Sequence, residues 1–276
     1  MGGDQERARL SHLIVTRPEP EASQWAGALC RQGWPAAALP LIHIGEPASA
    51  AALQALIGWR QRLAELDAAM FVSGAAVAHF FAGVPSTDFT VSRTRFWAPG
   101  PATAAALRAA GVPADRVDAP PDEAPQFDSE HLWPIVAGQL RPGARVLIVR
   151  GASLDAPVQA LAGNGREWLI AQCEAAGARV EACVAYERRP PLWSVEQTAL
   201  ARTARGTRAA WLFSSSEALQ HLRQWSPQTD WHGTAALATH PRIAESARLA
   251  GFAPVVTTRP GLPDVMRALE STWSPA

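Results

Sequence analysis

The sequence predicts an α/β protein with parallel sheets, and three features carry that reading. Short apolar runs alternate with helix-like stretches along the chain, a strand-turn-helix pattern recurs after about 140 residues, and two strand-like runs closed by proline separate the blocks. The alternation begins with "HLIVTRP" followed by "EASQWAGALCRQGW". It continues with "DAAMFVSG" and "AAVAHFFAG", then "ARVLIVRG" and "GREWLIAQCEAAG", and ends with "AAWLFSSS" and "EALQHLRQW". Strands alternating with helices imply parallel sheets covered on both faces, because a parallel return needs a crossover and the crossover is the helix.

The recurrence is clearest in "WAPGPATAAALRAAGV", residues 97–112. There Pro99-Gly100-Pro101 breaks the chain, Ala102 to Ala110 favours helix and Gly111 ends it. Pro101 and Gly111 recur 140 residues on, as Pro241 and Gly251 in "LATHPRIAESARLAGF". A companion pair sets "FVSGAAVAHF" on "FSSSEALQHL", with Phe71 on Phe213, Ser73 on Ser215 and His79 on His221, 142 residues apart. Two units in the same order at nearly the same offset predict two lobes of one design.

The runs "LPLIHIGEP" (39–47) and "ACVAYERRPPL" (182–192) read as linkers between these lobes. If the first strand and its helix join the second copy, the chain crosses twice. One lobe is then 1–39 with 191–276, the other is 46–181, and 40–45 and 182–190 connect them. Two lobes joined by two strands place a cleft between them. The exposed amides at the helix N-termini behind the strand loops make anion-gripping turns there.

Composition narrows the chemistry. The 276 residues are 48% hydrophobic, enough for two cores of ordinary size, and 25 basic residues balance 25 acidic ones. A neutral chain has no general field to recruit nucleic acid or an acidic membrane, so neither is expected as a partner. All 25 basic residues are arginine, which excludes Schiff-base lysines, pyridoxal-phosphate chemistry and the P-loop lysine. No GxGxxG follows a strand. Cys30, Cys173 and Cys183 lack metal-ligand spacing and read as packing residues, so no metal site is expected. Three thiols that cannot all pair fit a reducing cytoplasm, and no apolar run of spanning length opens or interrupts the chain.

Taken together, "VTRP", "LPLIHI", "FVSGAAV", "APGPATAAAL", "FDSEHL", "VLIVRG", "GREWL", "AYERRPP", "LFSSSEAL" and "ATHPRIAESARLAGF" resemble the motifs of the uroporphyrinogen-III synthases, in family order over nearly the whole chain. The resemblance implies two flavodoxin-like α/β lobes with parallel sheets, joined by a two-stranded antiparallel ladder. It also implies a reaction: cyclisation of hydroxymethylbilane to uroporphyrinogen III, with inversion of the last pyrrole ring and loss of water through a spiro intermediate. No cofactor is implied, the substrate is an octacarboxylate, and a monomer is expected. The rival reading is a non-catalytic bilobal protein that binds a tetrapyrrole or another anion.

The candidate site residues follow from the motifs. Tyr186, the only tyrosine, matches the family tyrosine proposed to assist loss of the hydroxyl; the competing role is ladder packing with the phenol at the surface. Gly100, Pro101, Ala102 and Thr103 match the family's G-x-x-T turn, with helix capping or packing as the alternative for Thr103. Ser73 and Gly74 offer a hydroxyl and close amides after one strand, as do Ser214 and Ser215 after another, and N-capping is compatible with binding. Thr16 and Arg17 end the first strand, where the guanidinium would hold a carboxylate arm or pair internally, and Arg150 in "VRG" shares that ambiguity. Thr239 precedes His240 and Pro241 in the second turn. The segment "GASLDAPVQALAGN" after Arg150 reads as an insertion relative to the family pattern. His79 and His221 read as helix residues rather than ligands.

Overall fold

The computed structural model describes residues 8–83, 93–121, 123–124, 126–153 and 164–275. The chain forms strands β1 (Arg9–Leu10) and β2 (His12–Val15), helix α1 (Glu21–Arg31), β3 (Ala36–Ala38), β4 (His43–Gly45) and α2 (Ala50–Gln61). It continues with β5 (Ala68–Phe71), α3 (Gly74–Phe81), β6 (Arg95–Trp97), α4 (Pro101–Ala109), β7 (Val117–Asp118) and α5 (Ser129–Val136). Then come β8 (Arg145–Ser153), α6 (Asn164–Ala175), β9 (Arg179–Arg189), α7 (Val195–Thr203), β10 (Ala209–Phe213) and α8 (Ser216–Trp225). The last elements are β11 (Ala235–Ala238), α9 (Pro241–Leu249), β12 (Val255–Thr257), α10 (Leu262–Thr272) and β13 (Ser274–Pro275).

Two compact units result, one from Met1–His43 with Arg189–Ala276 and the other from Ile44–Arg188. The first holds a five-stranded sheet in the order β12-β11-β10-β2-β3, parallel throughout, and a short parallel pair of β1 with β13. The second holds a six-stranded sheet, β4-β9-β8-β5-β6-β7, in which the five strands from β9 to β7 are parallel. The central strands β5, β10 and β11 are buried at every residue, which explains why they read as unbroken apolar runs rather than alternating ones. The α/β class with parallel sheets is therefore the observed one. The run 182–189 lies within the long strand β9, and only 43–45 of the 39–47 run is extended ladder.

Laid side by side, the two parallel sheets have one order. β7-β6-β5-β8-β9 corresponds to β12-β11-β10-β2-β3, so β10 to β12 repeat β5 to β7, while β2 and β3, which open the chain, stand where β8 and β9 stand. One unit is a circular permutation of the other. The recurring turns use matching residues for the same tasks in both. Ser73 caps α3 by accepting from the Ala76 amide, and Ser215 caps α8 by accepting from the Glu217 amide. Pro101 and Pro241 open α4 and α9, in the first turn, where an N–H has no partner within the helix and its absence breaks no helical hydrogen bond. Gly111 and Gly251 follow the ends of those helices with φ of 94° and 98°, the left-handed conformation that ends a helix and that glycine adopts without strain.

Among the described residues, no helix is long and apolar enough to cross a membrane, and no group of three or more His, Cys, Asp or Glu is placed to hold a metal ion. Cys173 and Cys183 are buried in the unit of Ile44–Arg188, and Cys30 is exposed. Burial pushes the two inner thiols up from an ordinary 9.0, to about 11 for Cys173 and about 12 for Cys183. A thiol reagent at pH 8 is expected to modify Cys30 alone in the folded protein and all three residues in denaturant; three fast-reacting thiols without denaturant would refute the burial. The raised values also set a sign. Stability from these thiols is full below about pH 9 and is lost as pH rises through 11 to 12, because the unfolded chain sheds those protons first.

Candidate active site

In a doubly wound sheet the chain leaves adjacent strands in opposite directions at one point, and the carboxyl ends of those strands open a crevice there. In one unit that point lies between β5 and β8, in the other between β10 and β2. The candidate residues gather at these two places. Ser73 and Gly74 follow β5, Gly100 to Thr103 follow β6, Arg150 extends β8 one step past the Phe71–Val149 pair, and Tyr186 lies beside it on β9. In the other unit Thr16 and Arg17 follow β2, Ser214 and Ser215 follow β10, and Thr239 follows β11. The register ends at Val15 opposite Leu212, the repeat partner of Met70, which pairs with Ile148. Carried two residues further, it sets Arg17 in the place of Arg150.

Tyr186 is held by an irregularity in the sheet. Arg150 pairs with Val184 but Gly151 pairs with Tyr186, so Ala185 is the extra residue of a β-bulge. Along a regular strand Ala185 and Tyr186 would face opposite sides. Here Cys183, Ala185 and Tyr186 all join one core cluster with Phe71, Val77 and Phe80. The phenol is thereby turned inward, and the residue is only 4% exposed. Its oxygen lies 3.3 Å from Ser73 Oγ, and its ring centroid lies 5.7 Å from that of His79. The bend is possible because residue 151 is glycine: a Cβ there would lie 2.3 Å from Cζ and 2.4 Å from Cε2 of Tyr186. The alternative of a surface phenol does not describe this residue.

The other candidates differ in what their side chains are free to do. Thr16 is buried and its hydroxyl donates to the Leu212 carbonyl at 2.6 Å, tying β2 to β10. Arg17 takes the internal pairing: its Nε donates to Glu21 at 2.8 Å, and its guanidinium lies 4.4 Å from the centre of the Trp25 ring. Arg150 is 5% exposed and Thr239 is 7% exposed. Thr103 sits in the first turn of α4, 6% exposed, and its hydroxyl makes no hydrogen bond among the described residues. In the second turn His240 uses its ring nitrogen to cap α9, accepting from the Arg242 amide at 3.1 Å, a role that glycine at 100 cannot fill. Residues 154–163 of the apparent insertion lie outside the described residues.

Two residues absent from the sequence-derived set belong to this edge. Gly151 is one, and its signal was present as the glycine of "VRG". Phe127 is the other: 47% exposed, it packs so closely on Gly100 that a Cβ at residue 100 would lie 2.8 Å from its own Cβ. A surface cavity of about 690 Å³ lies elsewhere, along α8 and α9. It carries Arg223 as its one charged side chain and none of the candidate residues.

A family model described as uroporphyrinogen-III synthase HemD matches residues 23–266. Among solved structures, the chain is similar to a mutant uroporphyrinogen III synthase from the extremely thermophilic bacterium Thermus thermophilus. That match has 17% identity and a TM-score of 0.51, over 94% of this chain and 99% of that one. It is similar as well to the uroporphyrinogen-III synthetase of Helicobacter pylori, at 12% identity and a TM-score of 0.59, over 95% and 99%. At these identities the structural likeness is one of fold.

Proposed function

The chain belongs to the uroporphyrinogen-III synthase family, and from that premise we propose that the carboxyl edge around Tyr186, Ser73 and Gly100 is where it carries out ring closure. The family's reaction is a cofactor-independent cyclisation in tetrapyrrole biosynthesis: hydroxymethylbilane loses water and closes to uroporphyrinogen III with its last ring inverted. The observation that carries the assignment is the family match across residues 23–266.

The chemistry asks little of the protein in the way of bond polarisation. Electron-rich pyrroles push out the terminal hydroxyl, the last ring attacks through its substituted carbon, and the spiro intermediate fragments and recloses. What must be supplied is a folded conformer in which that attack outruns direct closure to the symmetric isomer. Such positioning is worth up to about 7–11 kcal/mol in the best-oriented cases. In our reading the free amides where α3, α4, α8 and α9 open grip the carboxylate arms, around Ser73, Gly74, Gly100, Ala102 and Thr103 in one unit and Ser214, Ser215 and Thr239 in the other, while Pro101, which has no N–H, fixes the turn that presents them. Arg150 adds positive charge, Arg17 holds the equivalent place in the other unit with its charge paired to Glu21, and Thr16 acts by fixing the strand end. Tyr186 assists departure of the hydroxyl. A monomer working in the cytoplasm fits this scheme.

The test is a coupled assay. Freshly generated hydroxymethylbilane is supplied, the products are oxidised, and the type I and type III isomers are separated chromatographically. Type III in excess over the protein-free control is the expected result. Type I alone from a folded sample, beside an active control enzyme, would favour the non-catalytic binding protein.

A further inference from the structure

We infer that Ser73 is the group that hands a proton to the departing hydroxyl, with Tyr186 acting behind it as a positioning and proton-supplying residue; this rests on the synthase reading above. The argument is a count of hydrogen-bonding capacity. A serine oxygen carries one hydrogen and two lone pairs. One lone pair of Ser73 Oγ accepts from the Ala76 amide at 3.2 Å, which caps α3. The other faces the Tyr186 phenol at 3.3 Å. If Tyr186 donates, its own hydrogen and both lone pairs of Ser73 Oγ are used, the Ser73 hydrogen is the donor left over, and Ser73 is the more exposed of the two residues. In the reverse assignment the phenol hydrogen of a residue 4% exposed has no acceptor among the described residues. The geometry therefore directs the line of donation from phenol to serine to the crevice.

The buried position of Tyr186 points the same way. A phenol enclosed by the Phe71 and Phe80 cluster and roofed by Gly151 is shielded from a bulky octacarboxylate, whereas Ser73 stands at the switch point itself. The proton count closes. The C–O bond of the hydroxymethyl group breaks with its electron pair on oxygen. That oxygen takes the Ser73 proton and leaves as water, while Ser73 is resupplied by Tyr186. When the last ring recloses and regains aromaticity, its C–H proton returns through Ser73 to the phenolate. Substrate becomes product plus one water, and the protein is unchanged.

The experiment compares Ser73→Asn, Ser73→Thr, Tyr186→Phe and the double variant Ser73→Asn/Tyr186→Phe in the isomer assay. Asparagine keeps the N-cap through its side-chain oxygen but removes the hydroxyl, and threonine keeps both. Expected are kcat losses of about 10²-fold for Ser73→Asn and Tyr186→Phe with KM within about threefold, and a double variant no slower than the slower single one. Ser73→Thr should recover kcat to within about threefold of wild type. A Ser73→Asn enzyme with wild-type kcat, or losses that multiply in the double variant, would overturn the relay and leave Tyr186 acting directly. Absence of type III from the wild-type protein would instead mean that the synthase reading itself has failed.

Discussion

Replacing Gly151 with alanine is expected to cut type III formation by about 10²-fold while leaving the far-ultraviolet circular dichroism spectrum unchanged. The added carbon would sit 2.3 Å from Tyr186 Cζ, well inside van der Waals contact, and 2.8 Å from the phenol oxygen. The ring has no cheap escape, because it is buried in the same core cluster as Phe71, Phe80, Cys183 and Ala185 and only 4% of the residue is exposed. Either the phenol tilts away from Ser73 or the bulge at Ala185 straightens, and both move the hydroxyl pair out of line. Displacement of about 1 Å at a reacting group costs on that order in rate. Overpacking adds about 1–3 kcal/mol of lost stability. Gly151 has no positive φ, so the demand is for space alone. The alanine should therefore cost no further activity in a Tyr186→Leu background, where the ring is already gone. Wild-type turnover in Gly151→Ala would mean that the ring can be accommodated elsewhere and that the contact has no functional weight.

The same bulge marks where sequence reading stops. Residues dictated by backbone geometry were legible one at a time. Ser73 and Ser215 cap helices, Pro101 and Pro241 open them, and Gly111 and Gly251 end them, so the repeat and the α/β class could be read from types and spacing. Whether Ala185 or Tyr186 faces inward is a matter of one residue of register. Alternation in "ACVAYERR" gives the answer for a regular strand and says nothing of an extra residue. The permuted relation of β2 and β3 to β8 and β9 was hidden for another reason. Three residues of "LIV" are common to both, but parallel core strands draw on the same few apolar types, so their likeness carries little information. Arg17 and Arg150 were each found as an arginine after an apolar run, and only the sheet order shows that they occupy equivalent places. What those side chains are occupied with was out of reach altogether. Arg17 could be read as gripping a carboxylate or as pairing inside the protein, and the choice depended on Glu21 and Trp25 one helical turn and two turns away.

Trp211→Ala is expected to destabilise the unit that contains it by about 3–5 kcal/mol, a large share of the roughly 5–15 kcal/mol that holds a typical domain. The side chain is fully buried. Its centroid lies 5.1 Å from Trp231, 6.1 Å from Phe213 and 6.3 Å from Phe252, and its indole N–H donates to the Ala204 carbonyl at 2.7 Å. Truncation leaves both a cavity and a buried carbonyl without its partner. The repeat shows that the position itself does not demand tryptophan, since its counterpart 142 residues earlier is Ala69. There the bulk comes from the helix instead. Phe80 and Phe81 pack on Phe71, whereas their counterparts in α8 are Leu222 and Arg223. The two cores fill the same backbone by moving aromatic volume between strand and helix, which is why the repeat is faint where it is buried and clear where it turns. Two results should follow in urea unfolding. The midpoint of Trp211→Ala falls with the slope of the transition unchanged, and adding Leu222→Phe recovers part of the loss by restoring the arrangement of the other unit. A single substitution that costs under about 1 kcal/mol would show that this core relaxes around the cavity and that the exchange of volume between strand and helix does not govern its stability.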